Sequence, residues 1–233
     1  MVNKPSRIGM EREVIYDKNQ WRLLENFRRR ALKVIEILNA AGFKSFIYGS
    51  VARGDVNENS DLDILVTSRL PSMVEFILEK SFGELYERLI VQATPVSVPK
   101  AHLYVEPLLT VTIPLGSTSP REEEFYKLAG RLDLSGLKKD IRVPGMSKEL
   151  LLIIPTEKGH IEKPVFGIES YVAKITDVSI ETVIERERVL LKRDLHGRTG
   201  VFIKYKLSKG ESIEAAVRRL MKNPYFRKKM TIP

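Results

Sequence analysis

Two short strand-like segments, Ser45–Tyr48 and Asp61–Thr67, enclose a polar loop in the first third of the chain. The first segment is largely apolar and is broken by Gly49-Ser50, and the second carries a nearly continuous apolar run at its centre. Short apolar runs bounded by glycine and polar residues are typical of buried strands. The pattern therefore predicts two strands of a small sheet, joined by a loop that begins at a glycine.

Two acids open the second segment. Because successive side chains on a strand point to opposite faces, Asp61 and Asp63 are expected to project side by side while Leu62 and Ile64 enter the core. Two carboxylates this close repel each other unless a cation lies between them. Mg²⁺ favours carboxylates, waters and substrate phosphates as ligands. The pair is a candidate half of a two-metal site, although Asp-x-Asp is more often a turn or a solvated strand face.

The Gly-Ser break suits a phosphate. Gly49 permits a sharp turn and a close approach of a ligand to the backbone. Ser50 would open a short helix, whose first free N–H groups favour an anion. Arg53 is a candidate for the same phosphate, and an exposed loop arginine explains it equally well.

Together, Gly49, Ser50, Asp61 and Asp63 form a pattern more specific than either piece alone, with Ala52, Gly54 and Ser60 in the common form of the loop. The pattern resembles the DNA polymerase beta-like nucleotidyltransferase superfamily over roughly residues 20–113. The resemblance implies that the two aspartates ligate two Mg²⁺ ions, with Mn²⁺ as an alternative. It also implies that Gly49 and Ser50 hold the triphosphate of a nucleotide.

The same resemblance implies a third acid on a later strand, which completes the metal site and helps to deprotonate the acceptor hydroxyl. Glu106 is the candidate, at the end of a predicted strand, with His102 and Tyr104 on the same face by alternation. The match is imperfect, because Pro107 follows it and the family more often has aspartate there. The alternative is an exposed glutamate at the end of a strand.

The predicted fold class is α+β. Residues 1–116 would form a polymerase beta-like domain, a mixed sheet flanked by helices, and residues 117–233 a second, basic α+β domain, with the boundary in the Pro- and Gly-rich stretch Pro114–Pro120. Ser208 and Glu211 suggest a capping box. Periodicity predicts helices over Asn19–Ala41, Pro71–Leu89, Arg121–Arg131, Val178–Leu195 and Ser212–Lys222, with a break of the second one near Gly83 as an alternative. It also predicts strands over Val96–Val98, Leu103–Glu106, Leu109–Ile113, Leu150–Ile154 and Val201–Leu207.

Positive charge is concentrated at the C-terminal end. Residues 186–233 hold 14 Lys/Arg against 4 Asp/Glu, and the whole chain has a net charge of +9. Such a region suits RNA or another nucleic acid, or it is a solvated surface that keeps the protein in solution.

The absence of cysteine excludes disulfides and thiolate metal sites. No run approaches the ~18 apolar residues of a membrane span, and Met1–Met10 lacks the apolar run of a signal peptide, so a cytoplasmic protein without a membrane partner is expected.

Two functions remain open. The first is an enzyme that moves a nucleoside monophosphate from a nucleoside triphosphate to an acceptor hydroxyl, RNA being one candidate acceptor. The second is a regulatory module that binds nucleotide or nucleic acid, either antitoxin-like or catalytically degenerate.

Overall fold

A computed structural model describes residues 10–68, 70–197 and 200–230 of the chain. It is α+β, with a mixed sheet, as the sequence predicts. The described residues form two compact units, each assembled from separated segments. The N-terminal stretch that the signal-peptide argument used lies, except for Met10, outside the described residues.

The first unit draws on the segments Met1–Leu32, Ile47–Leu62 and Pro120–Thr199, as far as these are described. Its antiparallel sheet has the strand order β1-β10-β9-β8, with bounds β1 Arg12–Ile15, β8 Gly145–Met146, β9 Leu151–Thr156 and β10 Gly159–Pro164. Gly159 pairs with Ile15, and a Cβ on it would lie 1.9 Å from the Val14 carbonyl oxygen. Only glycine therefore lets β1 and β10 come this close.

Helices of the first unit pack around a cluster of fully buried side chains that includes Leu150, Leu152, Val172 and Val183. Leu152 comes from β9, which lies between β10 and β8. Successive residues of β9 face opposite sides of the sheet, and both Leu152 and Ile153 are buried, which explains the unbroken apolar run of this strand. The helices are α4 Pro120–Leu128, α6 Glu169–Thr176 and α7 Ile180–His196, and two short elements, β7 Arg131–Asp133 and α5 Leu134–Lys138, follow α4.

The second unit draws on Lys33–Phe46, Asp63–Ser119 and Gly200–Pro233, again as far as described. Its strands lie side by side in the order β11-β4-β5-β6-β3-β2. The bounds are β2 Ser45–Tyr48, β3 Leu62–Val66, β4 Glu87–Gln92, β5 Lys100–Glu106, β6 Leu109–Pro114 and β11 Ile203–Lys206, with helices α3 Pro71–Phe82, α8 Ile213–Leu220 and α9 Pro224–Met230.

Helix α1 spans Lys18–Ala40, one residue from the prediction at each end. The side chains that recur at three- and four-residue steps are buried, as an amphipathic helix requires: Leu24, Phe27, Ala31, Val34, Ile35 and Leu38. The predicted strands at β2, β3, β5 and β6 are also present, within three residues at each end.

Three local predictions are wrong. Val96–Val98 is not a strand, because the Gln92 side chain donates to the Ser97 carbonyl oxygen and holds this segment as a turn. The helix predicted over Pro71–Leu89 ends at Phe82, at the alternative break near Gly83, which takes φ 87°, so its extension to Leu89 is wrong and residues 87–92 belong to β4.

The capping-box prediction at Ser208 and Glu211 also fails. The Glu211 carboxylate does accept from the Ser208 amide, at 3.1 Å. However, α8 begins five residues after Ser208 and is capped by Ser212, whose hydroxyl accepts from the Ala215 amide.

The division into domains 1–116 and 117–233 stays a prediction. The two compact units are discontinuous in sequence, and each combines residues from before and after that point. Across the described ranges, no helix is both long and apolar enough to cross a bilayer.

One carboxylate in the first unit gives a pH prediction. Glu187 on α7 is buried, and within the described chain its Oε1 has no hydrogen-bond partner. Burial, and secondarily Glu169, raises the pKa of Glu187 to about 7. A folded-state pKa above the unfolded value favours the protonated form, so this contribution to stability is complete below the ordinary glutamate pKa and is lost as pH rises through about 7.

We therefore expect Glu187→Gln to raise the melting temperature more at pH 8 than at pH 5. Thermal unfolding of both proteins across this pH range measures the difference. Glu185→Gln, on an exposed side of the same helix, is the matched control. An equal shift at both pH values would contradict the assignment.

Candidate functional site

The bend after β2 requires glycine. Gly49 has φ 85° and ψ −152°, a region that residues with a side chain essentially never adopt. Its amide donates to the Gly130 carbonyl oxygen at 3.0 Å, which fixes the bend. Within the described residues, nothing lies within 4 Å of where its Cβ would be. The backbone is therefore open to a ligand at this point.

A single helical turn, α2 (Ser50–Arg53), follows the bend. The Ala52 and Arg53 amides donate to the Gly49 carbonyl oxygen, each at 3.1 Å, and Gly54 ends the turn with φ 108°. The first amides of a helical turn have no acceptor inside it, so those of Ser50 and Val51 need a partner from outside the turn. The sequence-based prediction of a short helix here is confirmed.

A buried arginine, Arg28, binds the carbonyl groups of this turn. Arg28 of α1 donates from Nε to the Val51 carbonyl oxygen at 3.2 Å and from one Nη to the Ala52 carbonyl oxygen at 3.1 Å. Its other Nη donates to Asp140 at 2.7 Å. The carbonyl end of the turn is thus satisfied by protein, and the position of its amide end is fixed.

Arg53 is not placed like a phosphate ligand. It is 5% exposed. Its Nε and one Nη donate to the two carboxylate oxygens of Asp55, at 3.0 and 2.8 Å, and its other Nη donates to the Ala129 carbonyl oxygen at 2.6 Å. This bidentate pair uses the guanidinium donors to fix the loop. Nucleotide binding by Arg53 stays a prediction, and the geometry favours a structural role.

The two aspartates lie at the start of β3. Asp61 directly precedes the strand and is exposed, and Asp63 is its second residue and is half-buried. Leu62 and Ile64 between and beyond them are fully buried. The alternation of burial matches the predicted one, with both carboxylates on the side away from the core.

A lysine that sequence reasoning did not identify lies beside Asp61. Lys148 Nζ is 3.6 Å from Asp61 Oδ2, with side-chain exposures of 66% and 52%. Lys148 follows β8, 87 positions along the chain from Asp61. No local motif relates two residues so far apart, so sequence patterns could not have found this contact.

The predicted third acid lies on a different strand from the aspartates. Glu106 is the exposed last residue of β5, after a β-bulge at Tyr104, and β6 lies between β5 and β3. Strands are about 4.8 Å apart, so β5 is about 10 Å from β3. The structure describes no group of three His, Cys, Asp or Glu side chains placed to hold a metal. Glu106 as a metal ligand stays a prediction that the sheet order does not favour.

The strand next to β3 carries hydroxyls instead of a carboxylate. Thr110 and Thr112 of β6 are buried, and Thr112 Oγ1 lies 3.0 Å from His102 Nδ1. Burial, and secondarily Lys100, lowers the pKa of His102 to about 4. His102 is therefore neutral at physiological pH and serves as a hydrogen-bonding group rather than a cation.

The donor set near β3 supplies part of what a divalent cation needs. Mg²⁺ is usually bound through one or two carboxylates, with waters and substrate phosphates completing its shell. Asp61 and Asp63 supply hard oxygen donors of this kind, so the residues fit one Mg²⁺ or Mn²⁺ that arrives with a nucleotide. The second ion of the prediction would need a further carboxylate.

A basic aromatic surface, defined as Phe202, Lys204, Tyr225 and Lys228, lies in the second unit. The Phe202 and Tyr225 rings meet edge to face with centroids 5.7 Å apart, and both are exposed. Phe202 directly precedes β11 and Lys204 is the second residue of that strand, while Lys228 is one helical turn from Tyr225 in α9. Among the described residues, neither lysine has an ion-pair partner.

Comparison with known proteins finds a family match over part of the chain. Residues 28–113 match the family model described as nucleotidyltransferase domain. The match includes the Gly49 bend, both aspartates and Glu106, and ends at Ile113 in β6. A search of curated proteins finds no match to the chain.

Proposed function

Since residues 28–113 match the nucleotidyltransferase domain family, we propose that this protein transfers a nucleoside monophosphate from a nucleoside triphosphate to an acceptor hydroxyl. The observation that carries the proposal is the pair Asp61 and Asp63 at the start of β3, preceded by the open glycine bend at Gly49. A phosphate-binding bend and a carboxylate pair on one short segment are the parts that such a transfer needs.

The chain's own residues have distinct tasks in this proposal. The first amides of α2 and the Ser50 hydroxyl bind the triphosphate, and Asp61 and Asp63 would hold the divalent cation that accompanies it. A cation held there would supply charge stabilisation to the phosphate oxygens. The acceptor oxygen bonds to the α-phosphorus, the bond from that phosphorus to the bridging oxygen breaks, and pyrophosphate leaves. The acceptor's proton passes to a base, the role for which Glu106 is the sequence-based candidate.

RNA is the acceptor class that the charge distribution favours. The last 48 residues carry 14 Lys/Arg against 4 Asp/Glu, and the basic aromatic surface lies among them. Exposed rings stack on unpaired bases, and neighbouring lysines pair with the backbone phosphates. This combination suits single-stranded RNA better than a small, compact acceptor.

We expect Tyr225→Ala to weaken binding of a single-stranded RNA oligonucleotide about 10-fold, because stacking on one aromatic ring contributes ~1–3 kcal/mol. The double variant Lys204→Ala/Lys228→Ala should lower the slope of log affinity against log salt by about 0.7 for each phosphate that these lysines neutralise. Fluorescence anisotropy over a salt series measures both quantities. Tyr86→Ala, at another exposed tyrosine of the second unit, is the control. Wild-type RNA affinity that is independent of salt would refute an RNA acceptor on this surface.

A regulatory nucleotide-binding module is the second candidate function. It is favoured by the position of Glu106, which β6 separates from β3, because two carboxylates are enough to bind a nucleotide with its cation but fewer than the resemblance implies for catalysis. If the protein is such a module, it binds nucleotide but forms no nucleotidyl-transfer product.

One experiment separates the two functions. The purified protein is incubated with each labelled nucleoside triphosphate, Mg²⁺ or Mn²⁺, and total cellular RNA, and both nucleotide binding and labelled product are measured. Label joined to RNA with release of pyrophosphate supports the transferase. Tight binding without product for any triphosphate supports the regulatory module, and the absence of both would refute each of them.

A further inference from the structure

We propose that Lys148 couples cation binding to nucleotide binding: it neutralises Asp61 before nucleotide arrives and then exchanges Asp61 for the triphosphate. The inference rests on the proposed function, because it assigns Asp61 to a cation that accompanies a nucleotide. The contact that carries it is the 3.6 Å separation of Lys148 Nζ and Asp61 Oδ2.

The backbone below Lys148 is fixed. The Ser147 amide donates to the Leu151 carbonyl oxygen at 2.8 Å, and the Glu149 amide donates to the Ser147 hydroxyl at 3.2 Å. Leu150 has φ 60°, and its side chain is fully buried in the core of the first unit. A leucine adopts this left-handed conformation only where its packing requires it. The turn therefore presents Lys148 from a defined position.

The side chain itself remains free to change partner. The ammonium group of Lys148 is held by one carboxylate oxygen at 3.6 Å, beyond the length of a strong charged hydrogen bond, and its side chain is 66% exposed. An ion pair this open to water contributes little to stability. Its consequence is electrostatic: while Lys148 lies beside Asp61, a divalent cation at Asp61 meets a positive charge.

A triphosphate changes that balance. It brings several negative charges to the Gly49 bend, which belongs to the same unit as Asp61 and Lys148. Lysine is a flexible point charge that binds phosphate readily. Once its ammonium group moves to a phosphate oxygen, Asp61 is free for the cation. Cation and nucleotide would then bind together, and the cation alone would bind poorly.

The test compares Lys148→Met and Lys148→Arg with the wild type and with Lys158→Met, at an exposed lysine in the β9–β10 turn of the same unit. Mn²⁺ binding to nucleotide-free protein is measured by electron paramagnetic resonance. Binding of a non-hydrolysable nucleoside triphosphate analogue with Mn²⁺ is measured by calorimetry. Neither readout depends on turnover.

We expect Lys148→Met to bind Mn²⁺ alone about 5-fold more tightly, the upper range for an exposed ion pair, and the nucleotide about 10-fold more weakly, as for the removal of one charged hydrogen bond. Lys148→Arg and Lys158→Met should resemble the wild type. If Lys148→Met leaves both affinities within about 2-fold of the wild type, or weakens nucleotide binding without strengthening Mn²⁺ binding, the coupling is refuted while the proposed function stands. A wild type that binds Mn²⁺ but no nucleotide would overturn both.

Discussion

Asp63→Asn is expected to lose at least about 1,000-fold of divalent-cation-dependent nucleotidyl transfer while the protein stays folded. The change keeps the side-chain volume and removes the negative charge at the half-buried second position of β3. Cation stabilisation of a transferring phosphoryl group is worth several kcal/mol, and each ~1.4 kcal/mol corresponds to a factor of ten in rate. Asp61→Asn should have an effect of the same order, because the two carboxylates serve one cation.

The measurement is the initial rate of label transfer at saturating Mg²⁺ and nucleotide, with circular dichroism and thermal melting as checks of the fold. Glu58→Gln, an exposed acid in the loop before β3, controls for a general change of charge. Glu106→Gln tests the sequence-based third acid in the same assay. Turnover retained in both aspartate variants would remove the site assignment, and turnover lost only in Glu106→Gln would move the catalytic carboxylate to β5.

The second large effect is expected on stability. Arg53→Met should lower the free energy of unfolding by about 3 kcal/mol, because it leaves the carboxylate of Asp55 without its partner in a poorly solvated site. The Ala129 carbonyl oxygen also loses a donor. The neighbouring Gly130 carbonyl oxygen accepts from the Gly49 amide, so the glycine bend should loosen as well. Urea unfolding of the purified variants measures the change.

A double variant separates the effect of the charge pair from that of packing. Arg53→Met with Asp55→Leu removes both charges, and replacing both partners of a buried pair is often nearly neutral. It should therefore recover most of the stability. Arg29→Met, which removes an exposed pair with Glu25 on α1, is the control and should change stability by less than about 0.5 kcal/mol. An Arg53→Met protein as stable as the Arg29→Met control would show that the guanidinium does not hold the loop.

The candidate site is predictable from sequence where it depends on local backbone geometry. The positive φ at Gly49, the helical turn at Ser50 and the alternation around Asp61 and Asp63 all follow from residue type and spacing over a few positions. Arg53 is the opposite case, because one of its bonds is not local. Its sequence position is compatible with a phosphate contact, and only the Ala129 carbonyl oxygen, 76 positions away, reveals its structural bonds.

The order of strands limits sequence reasoning in the same way. The strand containing Glu106 is correctly predicted, but its distance from β3 depends on β6, which follows it in sequence and lies between them in space. The hairpin of β9 and β10 and its partner β1 was not fully predicted, because β1 and β10 are short and mixed in polarity. Their pairing depends on a close approach at Gly159 rather than on a hydrophobic pattern.

The amino-acid sequence by itself determined the α+β class, the helix α1, the strands β2 and β3, and the glycine bend that follows β2. Periodicity and backbone preference act over a few neighbouring residues, which is why these features are predictable. The tertiary structure alone decided that Arg53 donates to the Ala129 carbonyl oxygen, that Lys148 lies beside Asp61, and that β6 separates Glu106 from β3. These are contacts and distances between residues far apart in the chain, and they exist only once the chain has folded and its strands have taken their order.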